Sequence, residues 1–216
     1  GVKAKMLVRD KQTDYLTVMP VGSSWTKPFK FLWERMCIFM ANGFKRKGLF
    51  LVDIANSGFD IVEHPEFQRA EVVHLHWINQ GFLSLPTMER VLRSGKKVVV
   101  TMHDQWFFTG VCHYSGECEK YKTLCRDCDL MRGGVLGDLA QRVFRQKLRI
   151  YSDARITFVG CSQWMADLAR ESRLTQGHRV VSIPNAINTD LFCPCDKGQA
   201  RQELGLPQDK HLLLFG

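Results

Sequence analysis

The sequence predicts an α/β protein built on a Rossmann-like parallel sheet with helices on both of its faces. Two observations lead to this prediction. Helical patterns separate most of the apolar runs, and strands that alternate with helices build parallel sheets. The runs themselves have the composition of buried parallel strands, and they lie at residues 4–8, 72–75, 98–102, 156–161 and 180–183.

Two of the helical patterns lie between the early runs. Residues 28–46 form a long stretch of mixed aromatic and basic side chains. Residues 85–93 form a shorter one, which we expect to stop before Gly95 because glycine commonly ends helices.

Two later helices begin at predicted N-caps. Asp138, with Gln141 three residues on, resembles a capping box that opens a helix to about Tyr151. Ser162 caps a further helix through about Glu171. The first of these helices is amphipathic. Its polar face carries a basic stripe that could attract an anionic membrane or a lipid phosphate, although a solvated face is the simpler explanation: Arg142, Arg145 and Arg149.

The composition favours one ordinary α/β domain followed by a short extension. A chain of 216 residues with 45% hydrophobic content can bury a core that needs no disulfides. The chain opens on Gly1, and its last apolar run, 212–215, has no helix behind it. We therefore expect truncation at both ends.

The charge balance favours anionic partners. Thirty Lys and Arg residues against 22 Asp and Glu residues give a formal net charge of +8, which suits nucleotide diphosphates, phospholipid surfaces or nucleic acid. No aromatic and basic motif of the kind that stacks bases is present, so we expect no nucleic acid. No apolar run approaches the roughly 18 residues of a membrane span, and no leader peptide is recognisable, so we expect a cytoplasmic protein.

Polar side chains follow four of the predicted strands, at the edge where open α/β sheets bind ligands. His103 and Asp104 leave the most hydrophobic strand, where a histidine on a rigid, dry base can donate a hydrogen bond to a ligand hydroxyl. A histidine bonded to Asp104 or a carbonyl would instead be structural. The other strand ends contribute His74, His76, Trp77, Ser162 and Asn185. Because so many polar groups meet at one edge, we favour a ligand site.

The spacing of His74 and His76 leaves an alternative open. Residues two apart on a strand point to the same side, and such a pair with His103 and Asp104 could hold a catalytic metal. A metal-dependent hydrolase is therefore an alternative function. Residues 77–79 supply no further ligand of the usual kind, so we expect one histidine to pack in the core and the other to line the cleft.

Segment 104–137 lacks periodicity and is far longer than most connections, which favours a functional loop. Four thiolates within it could close a tetrahedral structural zinc site, with disulfides as the competing explanation. Either arrangement would staple a loop that has little core of its own. A zinc-stabilised binding module without catalysis is a further alternative, but it has no use for the strand-edge motifs. The cysteines are Cys112, Cys118, Cys125 and Cys128, in the pattern C-x5-C-x6-C-x2-C.

Four strings occur in a characteristic order along the chain. They are A-E-V-V-H-L-H-W from Ala70, K-V-V-V-T-M-H-D from Lys97, F-V-G-C-S-Q-W-M from Phe158 and V-S-I-P-N-A-I-N-T-D-L-F from Val181. In order and spacing they resemble glycosyltransferase family 4, also called glycosyl transferases group 1. The last residues, R-Q-E-L-G-L-P-Q-D-K-H-L-L-L-F-G, resemble the opening of that family's second domain.

The resemblance implies a GT-B enzyme with two Rossmann-like domains. Residues 1–190 would be the N-terminal, acceptor-side domain, and residues 191–216 a linker and the start of the donor-binding domain. The family transfers sugar from a nucleotide-diphosphate donor with retention of configuration and without an obligatory metal ion. The resemblance therefore implies that donor, a glycan or lipid-linked acceptor, and no catalytic metal. His103 would contact the donor sugar near the reacting centre, and Ser162 and Asn185 would belong to the cleft or its hinge.

The chain departs from the family pattern in three places. The first strand and glycine-rich loop are missing, and the phosphate-binding and carboxylate motifs of the second domain would lie beyond Gly216. Ala186 and Asn188 stand where the family commonly has Gly and Asp. We therefore expect the chain alone to be inactive. We expect the whole protein to be cytoplasmic, with peripheral contact at the inner face of the membrane as an alternative. The residues expected on the acceptor side, from their position alone, are His76, Trp77, Asp104 and Trp106.

Overall fold

The computed structural model describes residues 2–46, 48–131 and 137–213. The chain divides into two compact units, Gly1–Pro184 and Asn185–Gly216. The division falls at the P-N turn, a little before the boundary predicted at residue 190. None of the described helices is long and apolar enough to cross a membrane.

The first unit opens with a short parallel ladder and a long helix. β1 (Met6–Val8) pairs with β2 (Val18–Pro20), and α1 spans Thr26–Ala41. β2 was not predicted, because three residues ending in proline carry too little pattern. The helix predicted over 28–46 is too long, since Gly43 and Phe44 adopt positive φ angles of 64° and 60° and end it.

The central sheet has four parallel strands in sequence order, which confirms the predicted parallel α/β architecture. After α2 (Pro65–Arg69), these strands are β3 (Val72–His76), β4 (Lys97–Met102), β5 (Ile156–Gly160) and β6 (Arg179–Ser182). The crossover helices are α3 (Leu85–Leu92), α4 (Leu139–Ser152) and α5 (Gln163–Glu171).

The order of the strands corrects the expected distribution of helices. Every step from one strand to the next moves in the same direction, and right-handed crossovers then place α3, α4 and α5 on one face. Leu75, Val100 and Phe158 lie side by side in register and are buried in the core. On β3 the alternate residues, including both histidines, are exposed. The sequence had suggested helices on both faces of the sheet. The crossover helices instead lie on one face.

The predicted caps are confirmed. Asp138 Oδ1 accepts a hydrogen bond from the Gln141 amide at 2.9 Å, and Ser162 Oγ accepts one from the Met165 amide at 3.2 Å. The basic stripe of α4 lies on its outer side, where Arg149 Nη2 approaches Glu89 Oε2 to 3.6 Å. Its proposed contact with a membrane stays a prediction.

Segment 104–137 is better packed than expected. Within its described part, 3-10 turns form at Trp106–Phe108 and Lys120–Lys122. The rings of Phe107, Phe108 and Tyr121 are buried in the main core, so the expectation of little core was wrong. Residues 132–136 lie outside the described part of the segment.

The second unit contains α6 (Lys197–Glu203), which Asp196 caps by accepting a hydrogen bond from the Gln199 amide. None of its helical residues is buried. Of the strand expected at 212–215, Leu212 and Leu213 are not in a strand, and the rest lies outside the described residues.

Candidate ligand site at the carboxyl edge of the sheet

Three histidines form a row on two adjacent strands. His74 and His76 project from the exposed side of β3, and their ring centroids are 4.1 Å apart. His76 Nδ1 lies 3.0 Å from Nε2 of His103, which follows β4. His74 Nε2 lies 2.8 Å from Thr101 Oγ1. The expectation that one of the β3 histidines packs in the core was wrong, because strand alternation places both on the exposed side.

The surroundings of His74 and His76 lower the pKa of both rings. Partial burial lowers the pKa of His74, and the nearby His103 lowers it further. Burial also lowers the pKa of His76, with added repulsion from His74 and His103. At neutral pH the contact between His76 and His103 is therefore a hydrogen bond in which one ring donates and the other accepts.

Trp77 forms an aromatic surface next to this row. Its φ is +33°, a conformation that non-glycine residues rarely adopt and that is typical of functional sites. The indole N–H donates to Asp104 Oδ2 at 2.9 Å, which fixes the ring while leaving it half exposed. A fixed and exposed ring suits stacking against a ligand.

Asp104 and Trp106, expected on the acceptor side, point into the protein. Asp104 Oδ1 accepts a hydrogen bond from the Trp106 amide at 2.9 Å, and Oδ2 is shared by Trp77 and His113. Trp106 is 0% exposed, and its indole N–H donates to the Asp53 carbonyl at 2.8 Å. In this structure both residues are buried, and their polar side-chain atoms form hydrogen bonds within the protein.

The sequence analysis missed His113, which connects the edge to the interior. Its Nδ1 lies 2.6 Å from Asp104 Oδ2, and its Nε2 lies 2.6 Å from Asp53 Oδ2. Burial opposes protonation of His113, but the hydrogen bonds to both carboxylates outweigh it and raise the pKa to about 9. His113 is therefore a cation at neutral pH. In the sequence His113 lies beside Cys112 in the predicted functional loop, and no pattern there indicates its contacts.

Backbone pairing brings His113 and Asp53 together. Val52 and Cys112 form an antiparallel bridge. The Asp53 amide donates to the Val111 carbonyl at 2.8 Å, and the His113 amide donates to the Leu51 carbonyl at 3.1 Å. Two segments far apart in sequence thus hold the two side chains in register.

The charges continue inward from Asp53. Arg35 forms a hydrogen-bonded ion pair with Asp53 and also donates to the Leu49 carbonyl at 2.6 Å. Glu34 Oε1 accepts hydrogen bonds from the amides of residues 54 and 55, while burial and then Asp53 raise its pKa to about 7. We call these five groups, whose ionised forms alternate in sign, the buried charge chain: Glu34, Arg35, Asp53, His113 and Asp104.

Lys147 ties the loop to α4 beneath the site. It is fully buried, and its ammonium donates to the carbonyls of Trp106 at 2.6 Å and Thr109 at 3.1 Å. The same nitrogen lies 3.3 Å from the centroid of the Trp106 ring. Burial lowers its pKa to about 7.

The four loop cysteines are free thiols, with the Gly110 amide donating to Cys125 Sγ at 3.3 Å. Burial raises the pKa of Cys112 to about 11 and that of Cys125 to about 12, which favours the protonated form. Across residues 2–46, 48–131 and 137–213, no three His, Cys, Asp or Glu side chains come together as metal ligands. The four cysteines therefore do not fit a zinc ion as they are arranged, and zinc stays a prediction.

The same geometry speaks against the hydrolase alternative. His103 Nε2 is taken up by His76, and both carboxylate oxygens of Asp104 are turned away from the histidine row. A metal site of the kind considered would need those atoms free to converge on one point.

Two predicted residues, Ser162 and Asn185, lie outside the histidine row. Ser162 caps α5 after β5, and Asn185 is exposed in the second unit. A groove of about 510 Å³ runs between the loop and α5. The side chains along it include Gln105, Tyr114, Trp164 and Lys122, whose ammonium pairs with Glu119 at 2.5 Å and with Glu171 at 2.9 Å.

The parallel α/β sheet with helices is compatible with the Rossmann-like class of fold. No family model matches the chain, and no solved structure matches it significantly. The Escherichia coli K12 protein named "Putative colanic acid biosynthesis glycosyl transferase WcaC" is 28% identical over 107 residues, which cover 44% of this chain and 26% of that protein. The chain thus spans about a quarter of the relative it matches, and the similarity relates it distantly to a glycosyltransferase.

Proposed function

We propose that this chain is the acceptor-side part of a retaining glycosyltransferase of family 4 with the GT-B architecture. The donor would be a nucleotide-diphosphate sugar, and the acceptor a glycan or a lipid-linked glycan in the cytoplasm or at the inner face of its membrane. The observation that carries the proposal is the row of hydrogen-bonded histidines beside Trp77 at the carboxyl edge of the sheet. The distant glycosyltransferase relative supports it.

His103 is the proposed contact to the donor sugar. The transition state of glycosyl transfer resembles an oxocarbenium ion that leaves a diphosphate, so catalysis depends on holding the sugar in place and stabilising phosphate charge. An imidazole ring nitrogen that is not used by His76 can hydrogen-bond a sugar hydroxyl and help to hold the sugar in place. His76, which bonds His103 at 3.0 Å, would orient it.

The acceptor would bind nearby, against Trp77 and in the groove between the loop and α5. Tyr114 and Trp164 are exposed there and offer aromatic faces, and the Lys122 ion pairs with Glu119 and Glu171 offer charged partners for hydroxyl groups. Asp104 and Trp106 enter the proposal as supports of this edge, because their polar atoms are already bonded within the protein. The proposal does not depend on zinc.

The remaining two residues of the site keep narrower roles. Ser162 lies at the N-terminus of α5, whose unpaired amides and dipole suit a phosphate or other anion. Asn185 would act where the two units of the chain are joined. Charge stabilisation of the leaving diphosphate would come chiefly from the donor-binding domain.

The test is sugar transfer by the whole protein that contains this chain, assayed with a panel of nucleotide-diphosphate sugars and extracted lipid-linked acceptors. We expect His103→Ala to lower kcat by about 100-fold or more, because a lost contact in the transition state typically costs that much. Gln176→Ala, which alters an exposed residue of the first unit before β6, is the control and should leave the rate within about twofold. Equal rates for the two variants would refute the role of His103. Sugar transfer by the 216-residue chain alone would refute the proposal that this chain provides the acceptor side and another domain binds the donor.

A further inference from the structure

Helix α1 carries its charged residues on the side toward the protein and apolar residues on its exposed side. All four of its charged residues point inward or along the surface of the protein: Glu34 and Arg35 are 0% and 4% exposed, and Lys27 and Lys30 are half-buried. The exposed side is apolar and follows helical spacing. We call it the α1 outer face, and its residues are Trp25, Phe29, Leu32, Trp33 and Met36.

The buried charges of α1 have partners that fix this orientation. Arg35 is paired with Asp53, and Glu34 holds two backbone amides, as described for the buried charge chain. Lys27 Nζ lies 3.7 Å from Asp10 Oδ1, and Lys30 Nζ lies 5.0 Å from the centroid of the Phe59 ring. Because turning the helix over would bury its apolar side only by breaking these contacts, the apolar side faces outward in the folded chain.

The turn after α1 extends this surface and adds positive charge to it. Phe44, at φ +60°, and Phe50 are exposed, and the Arg35 guanidinium lies 6.0 Å from the centroid of the Phe50 ring, which places that ring beside α1. Lys45 and Arg46 lie between the two phenylalanines and are exposed. Neither makes an ion pair with any residue that the structure describes.

The composition of this surface selects its partner. Contiguous exposed apolar surface of this kind marks an interaction site. Tryptophan and phenylalanine with flanking Lys and Arg are typical of helices that lie in a membrane interface, where the rings enter the acyl boundary and the cations reach lipid phosphates. The net charge of +8 adds long-range attraction to an anionic surface.

We propose that the α1 outer face, with Lys45 and Arg46, docks this chain onto an anionic lipid bilayer. Contact would be peripheral, with α1 lying parallel to the membrane plane. The proposal goes beyond sugar transfer and does not rest on it, since it concerns the outward side of α1 and is tested by binding alone.

The test is co-sedimentation of the 216-residue chain with vesicles of phosphatidylcholine containing about 30% phosphatidylglycerol, compared with phosphatidylcholine alone. We expect binding to the anionic vesicles, weaker binding to the neutral ones, and weakening by salt. The double variant Leu32→Ser, Trp33→Ser should bind at least about tenfold more weakly, because two apolar side chains no longer enter the lipid. Lys45→Gln, Arg46→Gln should weaken only binding to anionic vesicles, by about fivefold or more.

A matched control is available in the same chain. Leu32, Trp33, Trp164 and Ile183 are each 57% exposed, so Trp164→Ser, Ile183→Ser removes the same kind of exposed surface away from α1. This control should bind vesicles like the unaltered chain, and circular dichroism of each variant should match it. Vesicle binding that is absent, or that survives Leu32→Ser, Trp33→Ser undiminished, would overturn the proposal. So would a dimer, seen by sedimentation velocity, that only this variant dissolves, since the face would then bind a second copy.

Discussion

Two kinds of histidine lie at the carboxyl edge of the same sheet, and their surroundings give them different protonation states. His113 lies between two carboxylates, which raise its pKa to about 9, whereas burial and neighbouring imidazoles lower the pKa of His76. The first is a cation enclosed by partners, and the second is neutral and exposed. The edge therefore combines a fixed electrostatic support with a row of imidazoles that can bind a ligand.

The buried charge chain is suited to a structural role because its carboxylates at positions 53 and 104 are each shared by several donors, although Glu34 Oε2 and Arg35 Nε have no hydrogen-bond partner among the described residues. Asp53 is shared by Arg35 and His113, and Asp104 is shared by His113 and two other donors. Removing one member would leave a buried charge without its partner, which is far more costly than removing an exposed ion pair. The histidine row has no such linkage, so changes there should affect binding and leave stability nearly untouched.

The largest effect on the free energy of unfolding is expected at Asp53, the central member of the buried charge chain. Asp53→Asn removes the negative charge between Arg35 and His113 and should lower the free energy of unfolding by about 3 to 5 kcal/mol. Urea denaturation measures it. Asp60→Asn is the matched control, because Asp60 is exposed and pairs with Arg90 at the surface, so its loss should cost less than about 1 kcal/mol. Similar losses for both variants would show that the buried charge chain is not a support.

A smaller effect is expected from pH. The pKa of His113 is raised on folding from 6.5 to about 9, so its contribution to stability is complete below pH 6.5 and is lost as the pH rises through about 9. We expect this contribution to be of the order of 2 to 3 kcal/mol.

The measurement is the difference between the unaltered chain and His113→Gln at pH 6.5 and at pH 9. The difference is needed because Lys147, with a pKa lowered to about 7, makes the chain more stable as the pH rises over part of the same window. The gap between the two proteins should shrink at pH 9. A gap that stays constant would mean that His113 is not charged in the folded chain.

Most helices and strands could be predicted from the sequence, but the long-range contacts of their side chains could not. Apolar runs and capping residues located β3 to β6 and the starts of α4 and α5, because these signals are local. The contact of His113 with Asp53 spans 60 residues and depends on an isolated backbone bridge, so no local pattern announces it. The position of Trp106 was misjudged for the same reason, since a residue just after a strand can turn into the core as easily as toward a ligand.

Face assignments were the other source of error. Periodicity finds an amphipathic helix but cannot tell which side is buried when charged residues have partners elsewhere, as Glu34 and Arg35 have. The expectation that helices cover both faces came from the typical doubly wound sheet. Strand order, which decides the face of each crossover, depends on long-range pairing and is not written in any one segment.

The smallest effect on stability is expected in the histidine row. This prediction tests directly whether the row differs from the buried charge chain. His76→Gln removes a half-exposed hydrogen bond to His103 and should change the free energy of unfolding by less than about 1 kcal/mol, because water can replace the lost partner. Nuclear magnetic resonance of the imidazole carbons should show His76 titrating below pH 6.5 in the unaltered chain, while His113 stays protonated to about pH 9. A His76 that titrates above pH 6.5, or a loss of several kcal/mol on its replacement, would mean that the row is part of the structural support and not a free binding surface.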